Sequence, residues 1–295
     1  DYFVTDLAIL DEESLLIGTR NNGLIKVNSD FDLVEKIDLP TGVRDFPIFD
    51  LIVSDGEVYI ATDGAGLIIT DPDFKEFKVF QNDENSPNSI SSNGIYDIHI
   101  DYEGILWIAT YGGGMNFHNP NYSDFTSFRH IINEENSLAS NFVRSIAQDA
   151  LGRIWFGTKN GISIYNAENN IWKQIPNFSD KPLIEYSEII LALEPDGNDM
   201  WVGTYDSGAF KMNISSFKTE HYSTSKYSEF SLNKIYDIHK DKSGDIWFGG
   251  IDGKLTKLDS DNKIKTYEAD QIRNISDGFG NFILVAGRNG VQKLN

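Results

Sequence analysis

His99 stands two residues after Asp97, and His239 two residues after Asp237, each inside an Ile-Tyr-Asp-Ile-His run. An imidazole close to a carboxylate is equipment for moving protons, as a lyase or hydrolase must. The arginines Arg20, Arg44, Arg129, Arg144, Arg153, Arg273 and Arg288 stand out in a chain whose formal charge is −20. Guanidinium groups bind carboxylate or sulfate bidentately, so a cluster of them suits acidic sugars. Tyr111 and Tyr205 each follow a small residue and a threonine, and tyrosine rings can stack on sugar rings while their hydroxyls hydrogen-bond. Asp259-Ser260-Asp261 has the look of a cation-binding turn but lacks the downstream glycine and glutamate of an EF-hand loop. The chain has no cysteine, which removes thiolate nucleophiles, thiolate metal sites and disulfides. No G-x-S-x-G, H-E-x-x-H or Walker pattern occurs.

These residues fall at fixed places in a repeat. Residues 95–114 read IYDIHIDYEGILWIATYGGG, residues 145–161 SIAQDALGRIWFGTKNG, and residues 235–253 IYDIHKDKSGDIWFGGIDG. Weaker copies start at Leu7, Leu51, Leu191 and Ile275. One slot holds Leu16, Tyr59, Trp107, Trp155, Trp201, Trp247 and Leu284, an interval of about 45 residues that matches a four-stranded propeller blade. The expected class is all-β, a seven-bladed β-propeller of four-stranded antiparallel blades. Residues 1–295 are read as one domain, with blades at about 1–40, 41–86, 87–133, 134–180, 181–226, 227–268 and 269–295. The last blade lacks its own outer strand. Either the first residues zip onto it, or the chain is a fragment of something larger.

The middle strands, such as LWIAT, IWFGT and MWVGT, are apolar almost throughout, as expected where both sheet faces are covered. Tyr59, Trp107, Trp155, Trp201 and Trp247 are therefore read as packing between blades and not as ligand platforms. Outer segments such as FKEFKVF and FKTEHY alternate, which suits a strand with one wet face.

Placed on such blades, Arg20 and Arg288 occupy the second turn, and Arg44, Arg144 and Arg273 lie near the starts of inner strands. Tyr111, Lys159 and Tyr205 share one slot beside them. Loops shown on a rigid scaffold are where binding usually resides, so these eight residues form the candidate ligand-binding set. The alternative is that the arginines are solvated or paired with Asp45, Asp63 and Asp252, and that the tyrosines are lids over the blade core. For the histidines the structural reading is preferred. Their positions hold Ala8, Ile52, Ala147, Leu193 and Ser276 in other blades, while Asp97 and Asp237 are matched by Asp6 and Asp50, a recurring contact at the strand start.

The charge balance, 25 basic against 45 acidic residues, repels a phosphate backbone, so nucleic acid is not an expected partner. No apolar run reaches the roughly 18 residues a membrane helix needs, so this segment is not expected to insert in a membrane.

The order Asp, Gly, Leu/Ile-Trp-Ile/Phe-Gly/Ala-Thr and a closing Gly, preceded by linkers such as Asn88-Ser89-Ile90, Asn136-Ser137-Leu138 and Ser231-Leu232-Asn233, resembles the two-component regulator propeller repeat. The likeness covers all seven units and is strongest in the third, fourth and sixth. It implies the periplasmic sensor region of a hybrid histidine kinase of the Bacteroides type, with an oligosaccharide ligand from a glycan. It further implies an adjoining propeller and β-sandwich as partners, a possible homodimer, no cofactor, no metal, and a kinase outside this chain. Two other classes stay open: a protein-interaction scaffold, and an enzyme similar to the streptogramin lyases, which are also seven-bladed propellers that use histidine.

Overall fold

In the computed structural model the described residues are 2–43, 45–86, 88–119, 125–176, 188–279 and 282–294. They form a seven-bladed, all-β propeller, and no helix occurs among them. Each blade is an antiparallel meander in chain order. Blade 4, for example, runs Val143–Gln148, Ile154–Thr158, Gly161–Asn166 and Ile171–Ile175. Six sheets have four strands, and the seventh has three: Ile272–Asp277, Ile283–Gly287 and Gly290–Leu294. Residues 2–4 do not supply its fourth strand. The Phe3 carbonyl instead accepts from Arg20 N at 2.9 Å, which lengthens the first hairpin of blade 1.

Two compact units make up the chain, Asp1–Ser127 with Ser276–Asn295, and Phe128–Ile275. Both follow the same rules. Within the first, the inner strand Val4–Ile9 lies beside Ile48–Ser54, which lies beside Ile95–Ile100; within the second, Val143–Gln148, Ile190–Asp196 and Asp237–Lys240 neighbour one another in turn. Second strands such as Leu106–Thr110 and Ile154–Thr158 are buried at every residue, whereas the outer strand Phe77–Phe80 is not fully buried anywhere. The apolar-throughout and alternating patterns therefore sort strands by depth, because inner-lying strands such as Ile154–Thr158 and Leu67–Thr70 have protein on both faces and the outer strand does not.

Close approach of blades depends on a small residue after the aromatic pair. A Cβ on Gly157 would lie 2.7 Å from Ile190 Cγ2, one on Gly203 2.7 Å from Ile235 Cγ2, and one on Gly249 2.5 Å from Ile272 Cγ2. Each of those isoleucines opens the next blade and is at most 1% exposed. Ala61 and Ala109 fill the same slot elsewhere, so the fold demands smallness there and not glycine alone.

Tyr59 is half-buried, its hydroxyl donating to Glu57 Oε2 at 2.8 Å, whereas Trp107, Trp155, Trp201 and Trp247 in the same slot are at most 5% exposed. What holds them was not foreseen. The indole N–H of Trp107 donates to Asp101 Oδ2 at 2.7 Å, that of Trp155 to Asp149 at 2.7 Å, and that of Trp247 to Asp241 at 2.8 Å. The other oxygen of each aspartate caps its own turn; Asp149 Oδ1, for instance, accepts Leu151 N and Arg153 N at 2.9 and 3.0 Å. One carboxylate thus ties a hairpin turn to the core, which satisfies a buried donor that would otherwise cost about 1–3 kcal/mol. The threonine ending the second strand closes the second turn: Thr62, Thr110 and Thr158 donate to the carbonyls of Gly66, Gly114 and Gly161 at 2.7–2.8 Å.

Candidate functional site

Each inner strand enters on a buried β-branched residue, among them Val4, Ile48, Ile95, Val143 and Ile190. In blades 1 to 5 the register then jumps by one residue, between Val4 and Asp6, Ile48 and Asp50, Ile95 and Asp97, Val143 and Ser145, and Ile190 and Ala192. A bulge of this kind re-aims the extra side chain. The extra residues are Thr5, Phe49, Tyr96, Arg144 and Leu191, and the corresponding positions of blades 6 and 7 hold Tyr236 and Arg273.

The aspartate after the bulge reaches the next blade. Asp6 Oδ2 accepts Leu51 N at 2.7 Å, Asp50 Oδ2 accepts Ile98 N at 2.7 Å, and Asp237 Oδ2 accepts Ile275 N at 2.5 Å. The recurring contact expected at these aspartates is therefore a hook between neighbouring inner strands. Burial, and after it the Asp50 carboxylate alongside, pushes the Asp6 carboxyl well above the ordinary carboxylate range.

Beside these bulges sits the residue that follows the second-strand threonine. Its N–H bonds back to the segment entering the inner strand: Arg20 to Phe3 O, Asp63 to Pro47 O, Tyr111 to Gly94 O, Lys159 to Phe142 O and Tyr205 to Ile189 O, all at 2.9–3.0 Å. Bulge residues and post-threonine residues consequently share one end of each of blades 1 to 5.

In the first unit this end carries an aromatic run. Phe49 stacks on Tyr96 at 5.2 Å and 8°, and Tyr96 meets Tyr111 at 5.6 Å. Tyr111 is 52% exposed. Arg20 is exposed and its guanidinium lies 5.7 Å from the centre of the Phe3 ring. Arg288 is exposed on blade 7. Neither Arg20 nor Arg288 makes an ion pair with Asp45 or Asp63 among the described residues. Arg44 lies outside the described residues.

In the second unit the same end carries cations against rings. Arg273 lies 4.2 Å over the Tyr236 ring, Lys159 5.4 Å from Phe142, and Lys234 5.3 Å from Tyr205. Arg144 occupies the bulge of blade 4 and is partly buried. Tyr205 therefore already has a cation on its ring. Phe49, Tyr96, Tyr236 and Lys234 complete these groups and were missed from the sequence, although the residue between the entering β-branched side chain and the aspartate was a readable signal.

The histidines sit elsewhere. His99 pairs across the sheet with Trp107 and His239 with Trp247, in separate units. Burial drives the His99 imidazole below its usual range, against the opposing pull of Asp101 and Asp50. The Asp237 oxygen that could have oriented a base is spent on Ile275 N. Asp259 accepts Asp261 N and Lys263 N at 3.0 and 2.8 Å, and Asp261 pairs with Lys263 at 3.3 Å, so this segment is a charged turn.

Three stretches of the chain, residues 89–112, 137–160 and 229–252, match the family model described as two component regulator propeller, so the chain carries repeats of that kind. No curated protein matches it. Among solved structures, the extracellular domain of BT3049 from B. thetaiotaomicron, described as a hybrid two component system, shares 17% identity at a TM-score of 0.81 over 100% of this chain and 40% of that one. The extracellular domain of BT4673 from the same organism gives 18%, 0.80, 99% and 38%. YCF48 bound to D1 peptide gives 12%, 0.71, 99% and 91%. At such identities the likeness is one of fold. The chain spans about two fifths of the two B. thetaiotaomicron domains. No helix among the described residues is long and apolar enough to cross a membrane.

Proposed function

We propose that this propeller is the ligand-sensing part of an extracytoplasmic, periplasmic receptor of the two-component type. It binds an oligosaccharide, preferentially an acidic one, and signals through adjoining domains of a parent histidine kinase. The observation that carries this reading is that Tyr96, Tyr111, Arg144 and Tyr236 lie in stretches matched by the two component regulator propeller model, with Arg273 against the Tyr236 ring in one unit and Phe49 against the Tyr96 ring in the other. Guanidinium groups supply bidentate donors for carboxylate or sulfate, and the rings supply faces for the C–H side of a sugar. Sensing is favoured over catalysis because the histidines take part in packing and lie apart from this set. An adjoining propeller, a β-sandwich and a second copy of the receptor are the partners such a module would require to pass on a binding event.

The test is a thermal-shift screen against acidic and neutral oligosaccharides. A ligand at about 100 times its dissociation constant stabilises the native state by about 2.7 kcal/mol. Arg144→Ala with Arg273→Ala should abolish the shift from acidic members of the panel. No shift from any member, or an unchanged shift in the double variant, would overturn the proposal.

A further inference from the structure

Within the second unit, the outer strand of blade 5, Thr219–Tyr222, and that of blade 6, Ile264–Glu268, both contribute to the wall of a cavity of about 600 Å³. Tyr222 is buried, 5.1 Å from the Trp201 ring and 5.2 Å from that of Tyr227, and Lys226 lies 5.3 Å from the Tyr227 ring. Both tyrosine rings are thus engaged in packing, and what they offer a ligand is oxygen. The Tyr227 hydroxyl donates to Glu220 Oε1 at 3.2 Å. Burial, and after it the Glu220 carboxylate, pushes the Tyr222 hydroxyl above its ordinary range, so that phenol keeps its proton. On the other side of the cavity, Thr266 Oγ1 donates to the Glu229 carbonyl at 2.7 Å, which fixes the segment carrying Glu229 to blade 6. Among the described residues neither Glu220 nor Glu229 forms an ion pair, whereas the cation on the same wall, Lys263, pairs with Asp261 at 3.3 Å.

We propose that this cavity binds an organic ammonium ion, of the kind carried by an aliphatic polyamine or an amino sugar. An ammonium group brings three donors and no acceptor. The wall supplies the complement in the carboxylates of Glu220 and Glu229, the phenol oxygens of Tyr222 and Tyr227, and the amide oxygen of Asn262. Hydrogen bonds in which both partners are charged are roughly twice as strong as neutral ones. Ile264, half-buried on the same wall, gives a carbon skeleton its apolar contact. Ligand pockets run from about 300 to 1,000 Å³ and a water molecule takes about 30 Å³, so a cavity of this size fits a molecule and not a bare ion. The two carboxylates repel the acidic sugars that Arg144 and Arg273 would attract, and a formal charge of −20 draws cations toward the surface. None of the wall residues belongs to the inner-strand set, so the inference is independent of what the arginines bind.

The experiment is isothermal titration calorimetry of the whole chain with spermidine, glucosamine and N-acetylglucosamine at about pH 6, below the usual amine range. N-acetylglucosamine keeps the sugar ring of glucosamine and removes the charge. Saturable binding at one site is expected for at least one of the two amines, and none for N-acetylglucosamine. Binding by spermidine alone assigns the polyamine, and binding by glucosamine alone the amino sugar. Glu220→Gln with Glu229→Gln keeps the size of both exposed side chains and should weaken the binding by at least about tenfold, the share of hydrogen bonds to a charged group. Tyr227→Phe keeps the ring and should weaken it several-fold. Glu12→Gln with Glu13→Gln, exposed in the first turn of blade 1, changes the net charge equally and should leave the affinity as it was. No saturable binding of either amine, or equal binding of N-acetylglucosamine, overturns the proposal. So does equal weakening by the blade 1 pair, because the attraction would then be spread over the whole surface.

Discussion

Replacing Asp149 by alanine tests the anchoring of turn to core more severely than any other single change. Asp149 is 1% exposed, and its carboxylate serves Leu151 N, Arg153 N, the Trp155 indole at 2.7 Å and the Arg153 guanidinium at 2.6–2.8 Å. Arg153 in turn donates to Ile214 O at 2.6 Å, and its side chain is 16% exposed. Removing the carboxylate strands a buried indole N–H, at about 1–3 kcal/mol, and leaves a mostly buried cation without its partner, at about 3–5 kcal/mol. These contributions overlap, so the expected loss is about 3–5 kcal/mol. Asp101 makes the same turn and indole bonds, but Ile105 stands where blade 4 has Arg153. Asp101→Ala should therefore lose only about 1–3 kcal/mol. Urea unfolding followed by tryptophan fluorescence measures both, with an unchanged m-value as the check that stability alone has moved. If Asp149→Ala loses no more than Asp101→Ala, or if both lose under about 1 kcal/mol, the carboxylate is not the anchor described.

Further expectations concern packing and protonation. Gly157→Ala places a Cβ 2.2 Å from Ser145 Oγ and 2.7 Å from Ile190 Cγ2, so the blade junction must shift, at about 1–3 kcal/mol in the same unfolding assay. Because the folded Asp6 carboxyl is held above its ordinary value, the folded state keeps this proton where the unfolded chain, with a pKa of about 3.9, has released it. The contribution of Asp6 is thus fully present below the unfolded value and is lost as pH rises through the folded one. Asp6→Asn keeps an oxygen for Leu51 N but does not ionise. It should be more stable than the native protein near pH 8 and flatten the pH dependence, whereas an equal loss at every pH would count against this account.

Much of this was legible in the residues themselves. The interval of the Trp slot marked the blades, the apolar-throughout strands marked their middles, and the matched aspartates marked a recurring contact. The Asp-to-Trp spacing of six residues, at Asp101 and Trp107, Asp149 and Trp155, and Asp241 and Trp247, was equally visible and passed unread. It is a local pairing across one hairpin, the kind of contact that spacing can encode. The Thr and Gly of the second turn belong to the same class.

The aim of Phe49, Tyr96, Arg144 and Tyr236 was of another kind. Strand alternation treats each as an ordinary residue between two neighbours, but in blades 2, 3 and 4 a bulge adds a residue without a counterpart, at Phe49, Tyr96 and Arg144. Which ring then meets which cation, Arg273 on Tyr236 and Phe49 on Tyr96, depends on how closely one blade approaches the next. That approach is decided by packing between residues about 45 positions apart, as in the seat of Ile235 against Gly203. The chain by itself thus determined the repeat, the class of fold and the identity of its core. Only the tertiary structure decided which side chains share a surface, because contacts within a hairpin are written in local spacing and contacts between blades are not.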